Sequence, residues 1–148
     1  MNTITEIVVP VDLEDQSAKV AEYAAYMAKS LSANLTLLHV VELLRPIGDM
    51  VLGATTVEEY NKKRFTYARE QVDKLLTDYP ECKGVVVSGE IVDKIVEFAE
   101  EKGADLIIIG THGSKGIEKL LLGSVAERVV KYAHCPTLVM NPYKHKGQ

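Results

Sequence analysis

Cysteine is scarce in this chain: Cys82 and Cys135 are the only two, and neither belongs to a CxxC pair or a zinc-ligand spacing. That sets aside a disulfide-stapled fold and a zinc module, and points to two free thiols in a reducing cytosol. Long apolar runs are missing too, and nothing approaches the ~20 residues that a membrane span needs. The N-terminal MNTITEIVVP has no basic segment or cleavage site and reads as a strand rather than a signal peptide. Positive charge is not in excess, since 17 Lys and Arg against 21 Asp and Glu leave a net charge of -4. There is therefore no electrostatic reason to expect nucleic-acid binding. Repeats, low-complexity tracts and linkers are also lacking. The 148 residues are expected to form one cytoplasmic domain, residues 1–148, with no membrane span.

What is present alternates between two periods. Ile4 to Val11, Leu35 to Val41, Gly84 to Ser88, Asp105 to Ile109 and Thr137 to Met140 are short, apolar, β-branched runs. Strands that are apolar on both faces belong in a covered parallel sheet. Between them lie helical patterns. Residues 17–31 place Val20, Ala24, Met27, Ala28 and Leu31 on one stripe. Val57 to Tyr79 turns Val57, Tyr60, Ala68, Val72, Leu75, Leu76 and Tyr79 inward. Ile91 to Lys102 does the same with Ile91, Ile95, Phe98 and Ala99, and Gly103 suits its stop. Ser124 to Ala133 is the last helix. The pattern predicts a three-layer α/β/α fold. Residues 42–56 are long for a connection, and following strand two they should emerge where open α/β sheets bind ligands.

The familiar phosphate motifs are absent. Neither GxxxxGK[ST] nor GxGxxG occurs, yet "GTHGSKGIEKLLLGS" concentrates glycine after strand four. Its frame is Gly110, Gly113, then nine residues, then Gly123-Ser124. Ser124 and Glu127 match a capping box, with Ser124 as N-cap. A helix would then start at Gly123-Ser124 with N–H groups and a dipole that favour an anion, while Gly110 and Gly113 fold further N–H groups toward it. The alternative stays open that these are turn glycines and Ser124 only caps its helix.

Asp12 ends strand one after Pro10 and Val11. A carboxylate there can accept from ribose hydroxyls or help hold a metal. Asp15 or Ser17 is better placed to cap the following helix, which would leave Asp12 free. If strands one and four are neighbours, Asp12 and the glycine loop flank one crevice. A haloacid-dehalogenase-type phosphatase would need a second aspartate where Glu14 stands, and a receiver domain would need a phosphoacceptor that Ser88-Gly89-Glu90 does not supply. His39 reads as a packed core residue and His134 as structural. His112 lies in the loop, and no Ser/His/Asp triad is apparent.

These residues resemble the universal stress proteins across essentially the whole chain. Strand ends Pro10-Val11-Asp12 and His39-Val40, and the Gly110, Gly113, Gly123, Ser124 frame, carry the resemblance. In that family the frame marks the members that bind ATP. The resemblance implies a Rossmann-like five-stranded parallel sheet of order 3-2-1-4-5. It assigns Asp12 to the ribose with Pro10 and Val11 beside it, and Val40 to the adenine. Gly110, Gly113, Gly123, Ser124 and the Val125 N–H go to the phosphates, with Thr111 and His112 in the same loop. It implies ATP, ADP or AMP as ligand, with Mg²⁺ held through phosphates rather than by protein. It also implies a homodimer through residues 136–140 and a regulatory stress-response role with an unidentified protein partner. One departure stands out: many members have Gly-x-Pro after strand three, where this chain has Gly89-Glu90-Ile91. Two other functions compete: a phosphoryl-transfer or slow ATP-hydrolysing enzyme with Asp12 as metal ligand or nucleophile, and an interaction module with an empty cleft.

Overall fold

The computed structural model describes residues 3–45, 51–52, 55–111 and 123–143. The elements run β1 (Glu6–Pro10), α1 (Ser17–Leu31), β2 (Asn34–Val41), β3 (Val51–Leu52), β4 (Thr55–Thr56) and α2 (Val57–Leu75). Then follow β5 (Lys83–Ser88), α3 (Ile91–Lys102), β6 (Leu106–Gly110), α4 (Ser124–Tyr132) and β7 (Thr137–Met140). The five apolar runs pair as one parallel sheet in the order β5-β2-β1-β6-β7. Counted alone, these strands have the expected order 3-2-1-4-5. The stretch 42–56, read as irregular, contains the small antiparallel ribbon of β3 and β4.

Alternation along β1 divides the interior. Ile7 and Val9 face α1 and α2, where Ala24 and Val72 are buried. Val8 faces α3 and α4, where Ile95 and Val129 are buried. A side chain of this kind contributes roughly 1.5–3 kcal/mol when fully buried, so two covered faces hold the central strands from both sides. The alanine-rich α1 lies close on the sheet and ends where Ser32 turns left-handed (φ 53°), its N–H reaching the carbonyls of Ala28 and Lys29. Gly103 ends α3 in the same way at φ 69°, as its sequence position predicts.

Three inward positions differ from the periodic reading. Tyr60 is 38% exposed and Leu31 38% exposed, because each lies at the rim of its helix, where the stripe has left the sheet. Val92 is buried instead beside Ile95. α2 also stops at Leu75, so Tyr79 lies in a turn, with its N–H on the Leu76 carbonyl. α2 approaches β5 so closely that a Cβ on Gly84 would stand 2.5 Å from Val72 Cγ1 and 2.9 Å from Leu76 Cδ1.

Candidate functional site

Strand β1 delivers Pro10, Val11 and Asp12 to the carboxyl edge of the sheet. The Val11 N–H continues the ladder to the Leu38 carbonyl at 2.9 Å. Its own carbonyl lies 2.8 Å from His39 Nδ1. That contact makes Nδ1 the protonated nitrogen and ties the end of β2 to the exit from β1. His39 is therefore a half-buried residue of the site edge rather than core packing alone. The chain then passes through Leu13 in the left-handed region, φ 66°, a conformation that costs a leucine roughly 1–2 kcal/mol.

The expectation that Asp12 is free of structural work is corrected here. α1 has Gln16 at its N-cap with no side-chain cap bond, so neither Asp15 nor Ser17 caps it. Asp12 instead organises the turn. Its Oδ1 accepts from the Glu14 N–H at 2.9 Å and from the Ser17 hydroxyl at 3.1 Å. The Gln16 amide stands 3.4 Å from Oδ1 and 3.3 Å from Oδ2. An aspartate whose carboxylate takes the N–H two residues on is the usual way to stabilise such a turn. Loss of water raises its pKa above the ordinary 3.8, against the lowering by the Glu14 N–H and the Ser17 hydroxyl.

Across the β1–β6 pairing, Gly110 is the last residue of β6 and pairs with Met140 of β7. Thr111 is buried, with its N–H on the Met140 carbonyl at 2.8 Å. Its carbonyl accepts the Gly123 N–H at 2.7 Å, joining the end of β6 directly to the start of α4.

The capping box is also corrected. The Glu127 N–H donates to the Gly123 carbonyl at 2.9 Å, the first bond of the helix. Gly123 is therefore the N-cap, with φ -69° and ψ 157°, and Ser124 is the first helical residue. That backbone is open to any residue, so conformation does not call for glycine. A Ser, Asp or Asn at an N-cap would fold its side chain over the first-turn N–H groups. Glycine leaves Ser124, Val125 and Ala126 with N–H groups that have no acceptor within the helix and no N-cap side chain laid across them.

These elements enclose one cavity of about 360 Å³, of the size that holds a small organic ligand. Nine residues singled out in the sequence line it: Pro10, Val11, Asp12, Val40, Gly110, Thr111, Gly123, Ser124 and Val125. The other two, His112 and Gly113, lie outside the described residues. The sequence did not single out the walls. Gln16 comes from the N-cap of α1, Ser17 and Val20 from α1 itself, and Ile91 and Ile95 from α3. Their spacing is that of ordinary inward helix positions, and only the proximity of Ser17 and Gln16 to Asp12 along the chain hinted at more.

Where the Gly-x-Pro pattern fails, Glu90 caps α3 by accepting the Asp93 N–H at 2.8 Å, and it pairs with Arg128 of α4 at 3.5 Å. The Asp93 N–H, above all, lowers its pKa below the usual glutamate value, with Arg128 adding to it. Ile91 then enters the cavity wall. Of the described residues in 42–56, none lines this cavity; Leu43 and Thr56 edge a second hollow beside α2.

Among the described residues, no three His, Cys, Asp or Glu side chains converge as metal ligands. None of their helices is long and apolar enough to cross a membrane.

Known proteins share this framework. Universal stress protein MJ0531 of Methanocaldococcus jannaschii is 38% identical over 97% of this chain and 85% of its own. The structure of universal stress protein UspA from Lactobacillus plantarum matches 95% of this chain and 99% of its own, at 25% identity and a TM-score of 0.77. A universal stress protein solved in complex with cAMP matches 95% and 99% at 24% identity and a TM-score of 0.66. Residues 3–141 match the universal stress protein family, and the chain belongs to it.

Proposed function

We propose that this chain is an adenine-nucleotide-binding regulatory protein of the cytoplasm, belonging to the ATP-binding group of its family. The observation that carries the reading is the convergence of Asp12 and the start of α4 on one cavity, at the switch point between β1 and β6. The carboxylate suits ribose hydroxyls, and the N–H groups of Ser124 and Val125 suit phosphate. Between these ends the walls are apolar, with Val40, Ile91, Ile95 and Ile109 offering surface for a base. The fold neighbour solved with cAMP supports an adenine nucleotide as the class of ligand.

His112 and Gly113 would complete the phosphate contacts. Mg²⁺ would be held through the phosphate oxygens of the nucleotide. Asp12 Oδ1 already accepts from Glu14 and Ser17, which suits a fixed acceptor better than a nucleophile that must attack. Steady ATP turnover that disappears in Asp12→Asn would favour the enzymatic alternative. β7 is the outer strand of the sheet, and pairing its free side with a second copy through residues 136–140 would cover an apolar edge.

The test is to purify the protein without added nucleotide, release any ligand with acid and identify it by chromatography. The stripped protein is then titrated with ATP, ADP, AMP and cAMP. Saturable binding of at least one supports the reading. Empty protein that binds none of them overturns it and favours the interaction module.

A further inference from the structure

The two oxygens of Asp12 are not equivalent. Oδ1 takes the Glu14 N–H at 2.9 Å and the Ser17 hydroxyl at 3.1 Å; the Gln16 amide is shared, 3.4 Å from Oδ1 and 3.3 Å from Oδ2, and among the described residues it is the one donor near Oδ2. Ser17 is itself fixed. It is the first residue of α1, it is 2% exposed, and its N–H donates to the Glu14 carbonyl at 2.9 Å. Its hydroxyl can therefore lean on Asp12 without being drawn away by water.

From this geometry we infer that Ser17 is a positioning residue: it locks the Asp12 carboxylate about its terminal bond, so that Oδ1 is spent on the turn and Oδ2 faces the cavity as the acceptor for a ligand diol. The inference rests on the nucleotide reading above and specifies how its ribose end is selected. A carboxylate rotates easily about its last bond. Without Ser17 the Glu14 N–H would be the one short bond, since the Gln16 amide is shared between the two oxygens at 3.4 and 3.3 Å, and the second oxygen would be less well aimed. A ligand with two neighbouring hydroxyls gains most from a fixed acceptor, since the rotation is already lost before binding.

The probes are ATP and 2′,3′-dideoxy-ATP, titrated by calorimetry into wild type, Ser17→Ala, Ser17→Thr and Asp12→Asn, with thermal melts confirming that each is folded. Wild type should prefer ATP by roughly tenfold, as expected for a hydrogen bond to a charged acceptor. In Ser17→Ala the preference should shrink to within about twofold, near that of Asp12→Asn, and Ser17→Thr should restore it. A Ser17→Ala variant that keeps the full preference overturns the inference and leaves nucleotide binding standing. So does a Ser17→Thr variant that behaves like alanine, because packing and not the hydroxyl would then be responsible. A wild type that binds both probes equally removes the diol contact and with it the inference. Binding of neither probe overturns the nucleotide reading itself, a result that cannot be confused with the others.

Discussion

The Gly123 N–H donates to the Thr111 carbonyl across 2.7 Å, so the end of β6 and the start of α4 are one continuous piece of structure. The glycine in this pair is explained by what it omits. At φ -69° and ψ 157° an asparagine would fit the backbone and supply the missing cap. Gly123→Asn should therefore melt at or slightly above the wild-type temperature, a gain of a few tenths of a kcal/mol. Its ATP affinity should fall by about tenfold or more, while that for adenosine stays the same, because the new side chain covers the first-turn N–H groups. Paired titrations with ATP and adenosine check this, and equal losses for both ligands would count against a phosphate at α4.

On the proposed reading, in which Asp12 takes the ribose, binding of the nucleoside should depend on pH. Burial raises its pKa above 3.8, so it becomes protonated at higher pH than an ordinary aspartate. Adenosine affinity should decline as pH falls through that raised value, because the protonated group no longer offers a carboxylate to the ribose. Stability moves the other way. The folded state holds the proton more tightly than the unfolded chain, so acidification through the same range should stabilise wild type relative to Asp12→Asn. Adenosine titrations and melts of both proteins across the acidic range check the two signs.

Asp105 gives the opposite case at the far edge of the sheet. It accepts from the Thr5 N–H at 2.9 Å, the Thr5 hydroxyl at 3.0 Å and the Glu6 N–H at 3.0 Å, and these bonds lower its pKa below 3.8. Its contribution to stability is complete above the ordinary value and is lost as pH falls through the lowered one. Asp105→Asn should therefore melt below wild type at neutral pH, and the gap should close in strong acid.

Two core substitutions test the packing. Gly84→Ala puts a methyl 2.5 Å from Val72 Cγ1, and the stiff β-branched side chain has little room to yield. It should cost about 1–3 kcal/mol in urea denaturation. Thr36 is 1% exposed in β2, and its hydroxyl oxygen has no hydrogen-bond partner among the described residues. Thr36→Val keeps the shape and removes the desolvated oxygen, and should raise stability by about 1 kcal/mol.

The sheet was legible because β1, β2 and β6 are buried on both faces and so read as apolar runs, and the half-buried edge strands β5 and β7 keep the same β-branched composition. Strand order is not written in such runs, and it came from the resemblance carried by Asp12 and the glycine frame. Asp12, Gly110 and Gly123 were readable as cavity residues because they stand beyond β1, at the end of β6 and at the start of α4, where the carboxyl edge of an α/β sheet opens. Ile91, Ile95 and Val20 were not, since a cavity wall built from helix side chains has the same 3.6-residue spacing as core. The capping box failed by one residue because Gly123 and Ser124 both satisfy N-cap preference. The tie is broken by the Glu127 N–H, which closes the first turn on the Gly123 carbonyl. The role of Asp12 in its own turn was hidden for a related reason: the turn passes through Leu13 in the left-handed region, which leucine seldom adopts.

The central claim is that one cavity takes the ribose at Asp12 and the phosphates at the first turn of α4. Calorimetric titration of nucleotide-free protein with ATP, repeated on Asp12→Ala, tests it most directly. Saturable binding at one site per chain, weakened roughly tenfold by the substitution, is the expected result. ATP binding of unchanged strength in Asp12→Ala, or none in wild type, would contradict it.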